Sequence, residues 1–138
     1  SLVNIAHGEG YGLPLFEAAR EGLPVATIGW SGQLDFLHHD GKDYFEKVEF
    51  TLGQVQQEAV WDGVIVADSM WAYADESSYK SALRSLIQDP ESARQRAAEL
   101  KTIINNDFSD ERLYELFVSK IIQEDNFETV DVGLMFEE

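Results

Sequence analysis

His7-Gly8-Glu9-Gly10-Tyr11-Gly12-Leu13-Pro14-Leu15-Phe16-Glu17-Ala18 is the stretch that decides the fold. Three glycines at positions 8, 10 and 12 open it, and no Cβ there keeps a ligand from the backbone. From Leu13 to Arg20 the residues suit a short helix. Pro14 stands where a first-turn proline is tolerated, and Gly22 stands where a helix closes. A helix start leaves N–H groups unpaired and carries a partial positive charge. Gly12 and Leu13 are the donors here, because Pro14 has none. Such a turn is a ready anion site and suits a diphosphate. Glu9 precedes the helix and Glu17 lies about one turn inside it. A carboxylate so placed can accept from vicinal hydroxyls, as acidic residues do with ribose in other nucleotide folds.

Outward from this turn, Ser1 to Ala6 reads as a buried strand and Pro24 to Gly29 as a second. Ser31-Gly32 opens another turn, and Gln33 to His38 reads as one more helical stretch. Strand, glycine turn, helix, strand, glycine turn, helix is the grammar of a doubly wound sheet. The fold class expected is therefore α/β: a three-layer α/β/α, Rossmann-like domain with a mainly parallel sheet. Ligands in such sheets bind beyond the carboxyl ends of the strands, which sets Glu9 and the Gly29–Gly32 loop at one rim.

Asp40-Gly41 is a turn. Tyr44 to Leu52 alternates in part and reads as an extra strand or hairpin, and Val64-Ile65-Val66-Ala67 as a strand. Three helices follow. Asp75 or Ser77 caps the first, with Tyr79, Leu83, Leu86 and Ile87 on one side. Asp89-Pro90 starts the second, with Ala93, Ala97, Leu100 and Ile104 at helical spacing. Ser109 caps the third, with Leu113, Leu116, Phe117 and Ile121 facing inward.

Composition narrows the classes. With 44% hydrophobic and 12% aromatic residues, 138 residues suffice for one domain with a real core. The absence of cysteine excludes a disulfide framework, a thiolate zinc site and a cysteine nucleophile. No apolar run approaches the roughly 18 residues of a membrane span. The opening residues lack the basic region of a signal peptide. These features suit the cytoplasm, with a peripheral membrane association left open for the full-length protein. The net charge of −16 argues against nucleic acid and anionic membranes as partners. It repels phosphorylated ligands too, so a phosphate site must rely on backbone dipoles or on cations from elsewhere.

The glycine turn and its flanks resemble the glutamate–seven–glutamate (EX7E) motif of retaining GT-B-type glycosyltransferases, the group 1 glycosyl transferase family, in their C-terminal nucleotide-sugar-binding domain. Gly22-Leu23-Pro24-Val25 resembles the family's entry into the next strand, Ser31-Gly32-Gln33-Leu34-Asp35-Phe36 the loop after it, and Gly63-Val64-Ile65-Val66 a later strand. The likeness is tight over residues 1–41 and looser over 63–122. Residues 42–62 read as an insertion in a partial donor-binding domain of residues 1–122, and residues 123–138 as an acidic C-terminal tail.

The resemblance implies roles. Glu9 is the catalytic-site residue, contacting the donor sugar near the reaction centre. Gly10, Tyr11, Gly12 and Leu13 hold the donor diphosphate through the turn, and Glu17 binds the ribose. The donor is a nucleotide-diphosphate sugar, with no cofactor and no metal. The family's arginine and lysine that clamp the diphosphate lie upstream of this motif, and Arg20 reads as a surface residue. An acceptor-binding N-terminal domain is the missing partner, so this piece alone is expected to be inactive. A half-domain also exposes an apolar face, which favours a homodimer.

Other readings stand beside this one. Glu9 and Glu17 could be ordinary surface charges, or a glycosidase acid and nucleophile, against which the nucleotide-fold flanks argue. His7, His38 and His39 invite a metal, yet the adjacent pair at a helix end suits solvation or the helix dipole, while His7 borders the motif. Trp30, Trp61 and Trp71 could stack on sugars, but burial is expected for at least two of them; Trp30 lies at the expected edge of the site. A non-catalytic nucleotide- or partner-binding module is the alternative function, and a different nucleotide-binding α/β domain a third.

Overall fold

The computed structural model describes residues 1–121. The chain divides into two compact units, Ser1–Asn105 and Asn106–Glu138. The acidic tail expected over residues 123–138 lies outside the described residues.

The first unit is α/β. Strands β1 (Leu2–Asn4), β2 (Val25–Ile28) and β5 (Glu46–Val48) form a parallel sheet in the order β1-β2-β5. Register runs Val3 to Ala26 and Ile28 to Val48. All four residues of β2 are buried, so both faces of the sheet are covered. Ala26 and Ile28 share one face with Val48. Ala82 of α3 (Glu76–Gln88) completes that core, with Tyr79 and Leu86 packed against it. Val25 and Thr27 point the other way. Helix α1 (Leu13–Arg20) packs on β1 and β2 and buries Leu15, Ala18 and Ala19.

Local chemistry explains where elements start and stop. Gly12 precedes α1 in the left-handed region, at φ 86° and ψ 51°. Past the other end, Gly22 (φ 76°) donates to the Ala19 carbonyl and Leu23 to the Ala18 carbonyl, each at 2.9 Å. That pairing is a Schellman closure, which needs a left-handed residue and gets glycine. Asp75 caps α3 by accepting from Ser78 N–H at 2.7 Å. Asp89 accepts from Ser92 N–H at 3.1 Å and so caps α4 (Pro90–Asp107), which buries Ala93, Ala97, Leu100 and Ile104 as their spacing requires.

Several expectations need correction. The helix expected from Gln33 to His38 is only α2, Leu34–Leu37. His38–His39 form strand β3, which pairs with β4 (Lys42–Asp43). Asp40 (φ 49°) and Gly41 (φ 76°) make the turn between them. Two successive positive φ values mark a tight hairpin, whose twist competes successfully with helix continuation. The paired histidines therefore follow α2 directly, His38 as its C-cap with its N–H on the Leu34 carbonyl, and lead into the hairpin. His38 Nδ1 meets Asp43 Oδ1 across the hairpin at 2.5 Å.

Residues 42–62, read from the sequence as an insertion, contain β5, the third strand of the parallel sheet. After β5 the chain enters β6 (Phe50–Gln54), which pairs antiparallel with β7 (Met70–Ala74). Val64–Ala67 is not a strand. Gly63 (φ 72°) turns the chain there, Ile65 makes one isolated bridge to Trp61, and Val64 is 64% exposed. Without a covering layer, a four-residue apolar run has no reason to extend. Ile87 of α3 is likewise exposed rather than packed.

The second unit contributes helix α5, Asp110–Ile121. Ser109 caps it as expected, its Oγ accepting from Arg112 N–H at 3.3 Å. Leu113, Leu116, Phe117 and Ile121 were expected to face inward but are 43 to 63% exposed. Amphipathic spacing sets which residues share a stripe and does not itself provide a surface to bury it. Among the described residues, no helix is long and apolar enough to cross a membrane.

Candidate functional site

The glycine turn leaves β1 at its carboxyl end, where a doubly wound sheet presents ligands. Asn4, the last residue of β1, organises it with both ends of its amide. Its Oδ1 accepts from Ala6 N–H at 2.7 Å, and its Nδ2 donates to Glu9 Oε1 at 2.9 Å. The Glu9 carboxylate is therefore held in place by a neighbouring amide.

The Glu9 main chain is tied to the second glycine loop. Ser31 Oγ accepts from Glu9 N–H at 3.1 Å and donates to the Glu9 carbonyl at 2.6 Å. Gly32 N–H donates to the same carbonyl at 3.1 Å. The two loops thus meet at one rim, as the sheet grammar requires. Ser31 holds φ 78°, a left-handed conformation uncommon outside glycine and costly without surrounding contacts. Its two bonds to Glu9 are those contacts.

Gly12 is buried between the loops. A Cβ there would lie 3.3 Å from Gln33 Cβ, 3.3 Å from Leu15 Cδ1 and 3.7 Å from Glu9 Cβ. Among the described residues, the N–H groups of Gly12 and Leu13 have no acceptor, as helix geometry demands of a first turn. Gln33 is fully buried. Its Nε2 donates to the Ile28 carbonyl at 3.1 Å, while its Oε1 has no partner among the described residues. An orphaned buried carbonyl is costly and marks a place where polarity is retained for a reason other than packing.

Tyr11 anchors the turn to both helices. Its ring lies 5.5 Å from Phe16 and 5.2 Å from Phe36, and the two phenylalanines meet edge-on at 5.2 Å. Burial pushes the Tyr11 phenol above its ordinary value, and the Asp35 carboxylate pushes it further.

The predicted residues are brought together unequally. Glu9, Gly10, Tyr11, Gly12 and Leu13 converge at the helix start. Glu17 is exposed on α1, four residues after Leu13 and so on the same stripe. No hydrogen bond or ion pair among the described residues joins it to the Glu9 loop. Arg20 is exposed in the last turn.

The tryptophans depart from expectation. Trp61 is 67% and Trp30 39% exposed, so at least two are not buried. Trp61 occupies the turned segment without cover. Trp30 leaves β2 at the rim, its ring 5.4 Å from that of Phe50. Trp71 is half-buried and stacks on His7.

The sequence reading missed two contributors. Ser31 and its strained backbone were hidden in a generic glycine loop. Lys47 of β5 lies so close to Gly29 that a Cβ there would come within 2.4 Å of Lys47 Cε. This lysine stem therefore runs along the rim, its Nζ 3.4 Å from Glu49 Oε1. Only the Thr27–Lys47 register reveals that placement.

A cleft of about 400 Å³ lies at the opposite, amino-terminal end of the strands, lined by Ser1, Leu23, Pro24 and Arg94 among others. Gly22 of the α1 closure lines it, but no carboxylate does, and Arg94 is already paired with Glu91 at 2.6 Å. The chemistry converges at the other rim.

No curated protein and no solved structure matches this chain. One family does: residues 2–114, most of the 138, match the family described as "Family 4 Glycosyltransferase in conflict systems". Sheet, glycine turn and both loops fall within that span, and the chain belongs to this glycosyltransferase family.

Proposed function

We propose that this chain is the C-terminal, donor-binding part of a retaining GT-B-type glycosyltransferase. It holds a nucleotide-diphosphate sugar while an N-terminal domain presents the acceptor, and the sugar is transferred with its anomeric configuration kept. The observation that carries this reading is the pairing of two unengaged helix N–H groups, on Gly12 and Leu13, with a neighbouring Glu9 carboxylate fixed by Asn4.

The roles follow from the chemistry. The α1 N-terminus takes the diphosphate and stabilises charge on the departing nucleotide. Glu9 accepts from the donor sugar's hydroxyls. Glu17, one turn along the exposed stripe, takes the ribose. The net charge of −16 opposes the ligand, so cations from elsewhere in the protein complete the site. The isolated chain is therefore inactive, its partners are the donor and the N-terminal domain, and its setting is a conflict system, as the family's description states.

The test is calorimetric titration of the full-length protein with nucleoside diphosphates and their glucose conjugates. Glu17→Ala weakens binding of both kinds, and Glu9→Ala chiefly lowers kcat and weakens the glucose conjugates alone. Nucleotide affinity unchanged in Glu17→Ala removes the ribose role. Detectable transfer by residues 1–138 alone refutes the two-part site.

A further inference from the structure

His7 lies two residues before Glu9, yet its bonds go to a strand 65 residues away. Its Nδ1 is 2.8 Å from the Ala72 carbonyl, and its own carbonyl accepts from Ala72 N–H at 3.2 Å. A carbonyl can only accept, so Nδ1 carries the proton and the tautomer is fixed. The ring stacks on Trp71 at 4.7 Å and 10°, and Tyr73 closes on it at 4.7 Å and 57°.

Tyr73 is itself held. Its hydroxyl donates to the Gln54 carbonyl at 2.8 Å, and its ring covers Gly53, where a Cβ would come within 3.1 Å of Cε2. Ala72, between the two aromatic residues, faces the core and is fully buried. The grip on His7 thus stands on β7, with β6 behind it. At Glu9 itself, Ser31 and Gly32 hold the same loop.

We propose that His7 is a positioning residue: clasped by Trp71, Ala72 and Tyr73, it fastens the Glu9 loop to the β6–β7 ribbon and so sets where the Glu9 carboxylate stands. This rests on the reading of Glu9 as the donor-sugar contact. The ribbon becomes a wall of the site beside the Ser31 loop, whose neighbour Trp30 meets Phe50 of β6. Misplacing a reacting group by about 1 Å costs up to ~100-fold in rate, so a loop held at both His7 and Glu9 is sensitive to the loss of either hold.

The experiment compares His7→Ala, His7→Asn, His7→Gln and Trp71→Ala in the full-length protein. Amide hydrogen exchange needs no ligand. In His7→Ala and Trp71→Ala, residues 7–12 exchange about tenfold faster, while α3 and α4 are unchanged. Unchanged exchange over residues 7–12 overturns the clamp.

The second measurement is affinity for UDP, ADP and GDP, and for their glucose conjugates. His7→Ala weakens the sugar nucleotide about tenfold relative to its nucleoside diphosphate, since Glu9 meets only the sugar. Equal weakening of both ligands denotes general loss of structure and overturns the proposal. Asn puts an amide donor near the Nδ1 position and restores affinity, whereas Gln places one near Nε2 and does not. Rescue by Gln instead of Asn assigns His7 direct ligand contact, which also overturns it. If Glu9→Ala leaves sugar-nucleotide affinity intact, the reading of Glu9 fails separately, and the exchange result still decides whether the clamp exists.

Discussion

Gly32 stands so close to Gly10 that a Cβ on it would lie 2.0 Å from the Gly10 carbonyl oxygen and 2.7 Å from its carbonyl carbon. Both partners are backbone, so no side chain can move aside. Gly32→Ala must part the two loops that frame Glu9. We expect it to cost about 1–3 kcal/mol, the usual range for forced overpacking. Gly10→Ala is the control, because nothing lies within 4 Å of the added methyl. Urea denaturation of the two variants decides. Equal midpoints would mean that the loops are not in contact in solution.

Asn4 offers a second lever. Its amide donates to Glu9 Oε1 at 2.9 Å and accepts from Ala6 N–H at 2.7 Å. Asn4→Asp keeps the acceptor and its size but replaces the donor with a second negative charge beside Glu9. Like charges at that range repel. Turnover of the full-length enzyme should fall ~10- to 100-fold in Asn4→Asp. Asn4→Ala, which removes donor and acceptor without adding charge, should fall less. The opposite order would show that the Ala6 bond, rather than orientation of Glu9, is what Asn4 supplies.

Much of this architecture is legible in the sequence where a single residue type meets a strict backbone demand. Pro14 and Gly22 bracket α1, and Gly22 performs the left-handed closure. Asp75, Asp89 and Ser109 cap the helices they precede. Ala93, Ala97, Leu100 and Ile104 recur on one helix face, and all four are buried. The glycine turn and the Ser31 loop meet as expected of two strand ends at one rim.

What stayed hidden depends on contacts distant in sequence. Tyr44 to Leu52 reads as an extra strand or hairpin, but nothing local sets Glu46-Lys47-Val48 beside β2 in the parallel sheet. Its charges are accommodated because Arg96 pairs with Glu46 and Lys47 lies along Gly29. Val64–Ala67 has the better strand composition but no layer to cover it. The His7–Trp71 stack joins residues 64 positions apart, and no local pattern announces it. The stripe on α5 is visible in the sequence, whereas its exposure is not.

Two exposed carboxylates contribute to the acid limb of stability. Asp75 is held below its ordinary value of 3.8 by the Ser77 hydroxyl and then the Ser78 N–H. Glu99 is held below 4.5 by its bond to Lys42 Nζ and that lysine's charge. Both are lowered on folding. Their stabilisation is complete above those ordinary values and is lost as pH falls through the lowered ones. The denaturation midpoint should decline below about pH 4. Asp75→Asn should flatten the decline, being insensitive to pH at that cap. An acid limb as steep as the parent's would assign the loss to other carboxylates.

The basic limb reports on the site itself. Tyr11 is raised above 10.0, first by burial and then by Asp35. For a group raised on folding, stability is complete below the ordinary value and is lost as pH rises through the raised one. The denaturation midpoint should therefore fall above about pH 10, and Tyr11→Phe should delay that fall. A diphosphate at the adjacent Gly12 brings further negative charge toward the phenol. Ligand should then raise the Tyr11 ionisation again, and by linkage its affinity should weaken as that phenol ionises. Asp35→Asn should lower the starting point without abolishing the ligand-induced rise. Near-ultraviolet absorbance titration with and without UDP, read against Tyr11→Phe, measures this directly. A Tyr11 ionisation indifferent to a nucleotide that does bind would place the phosphates away from the α1 N-terminus.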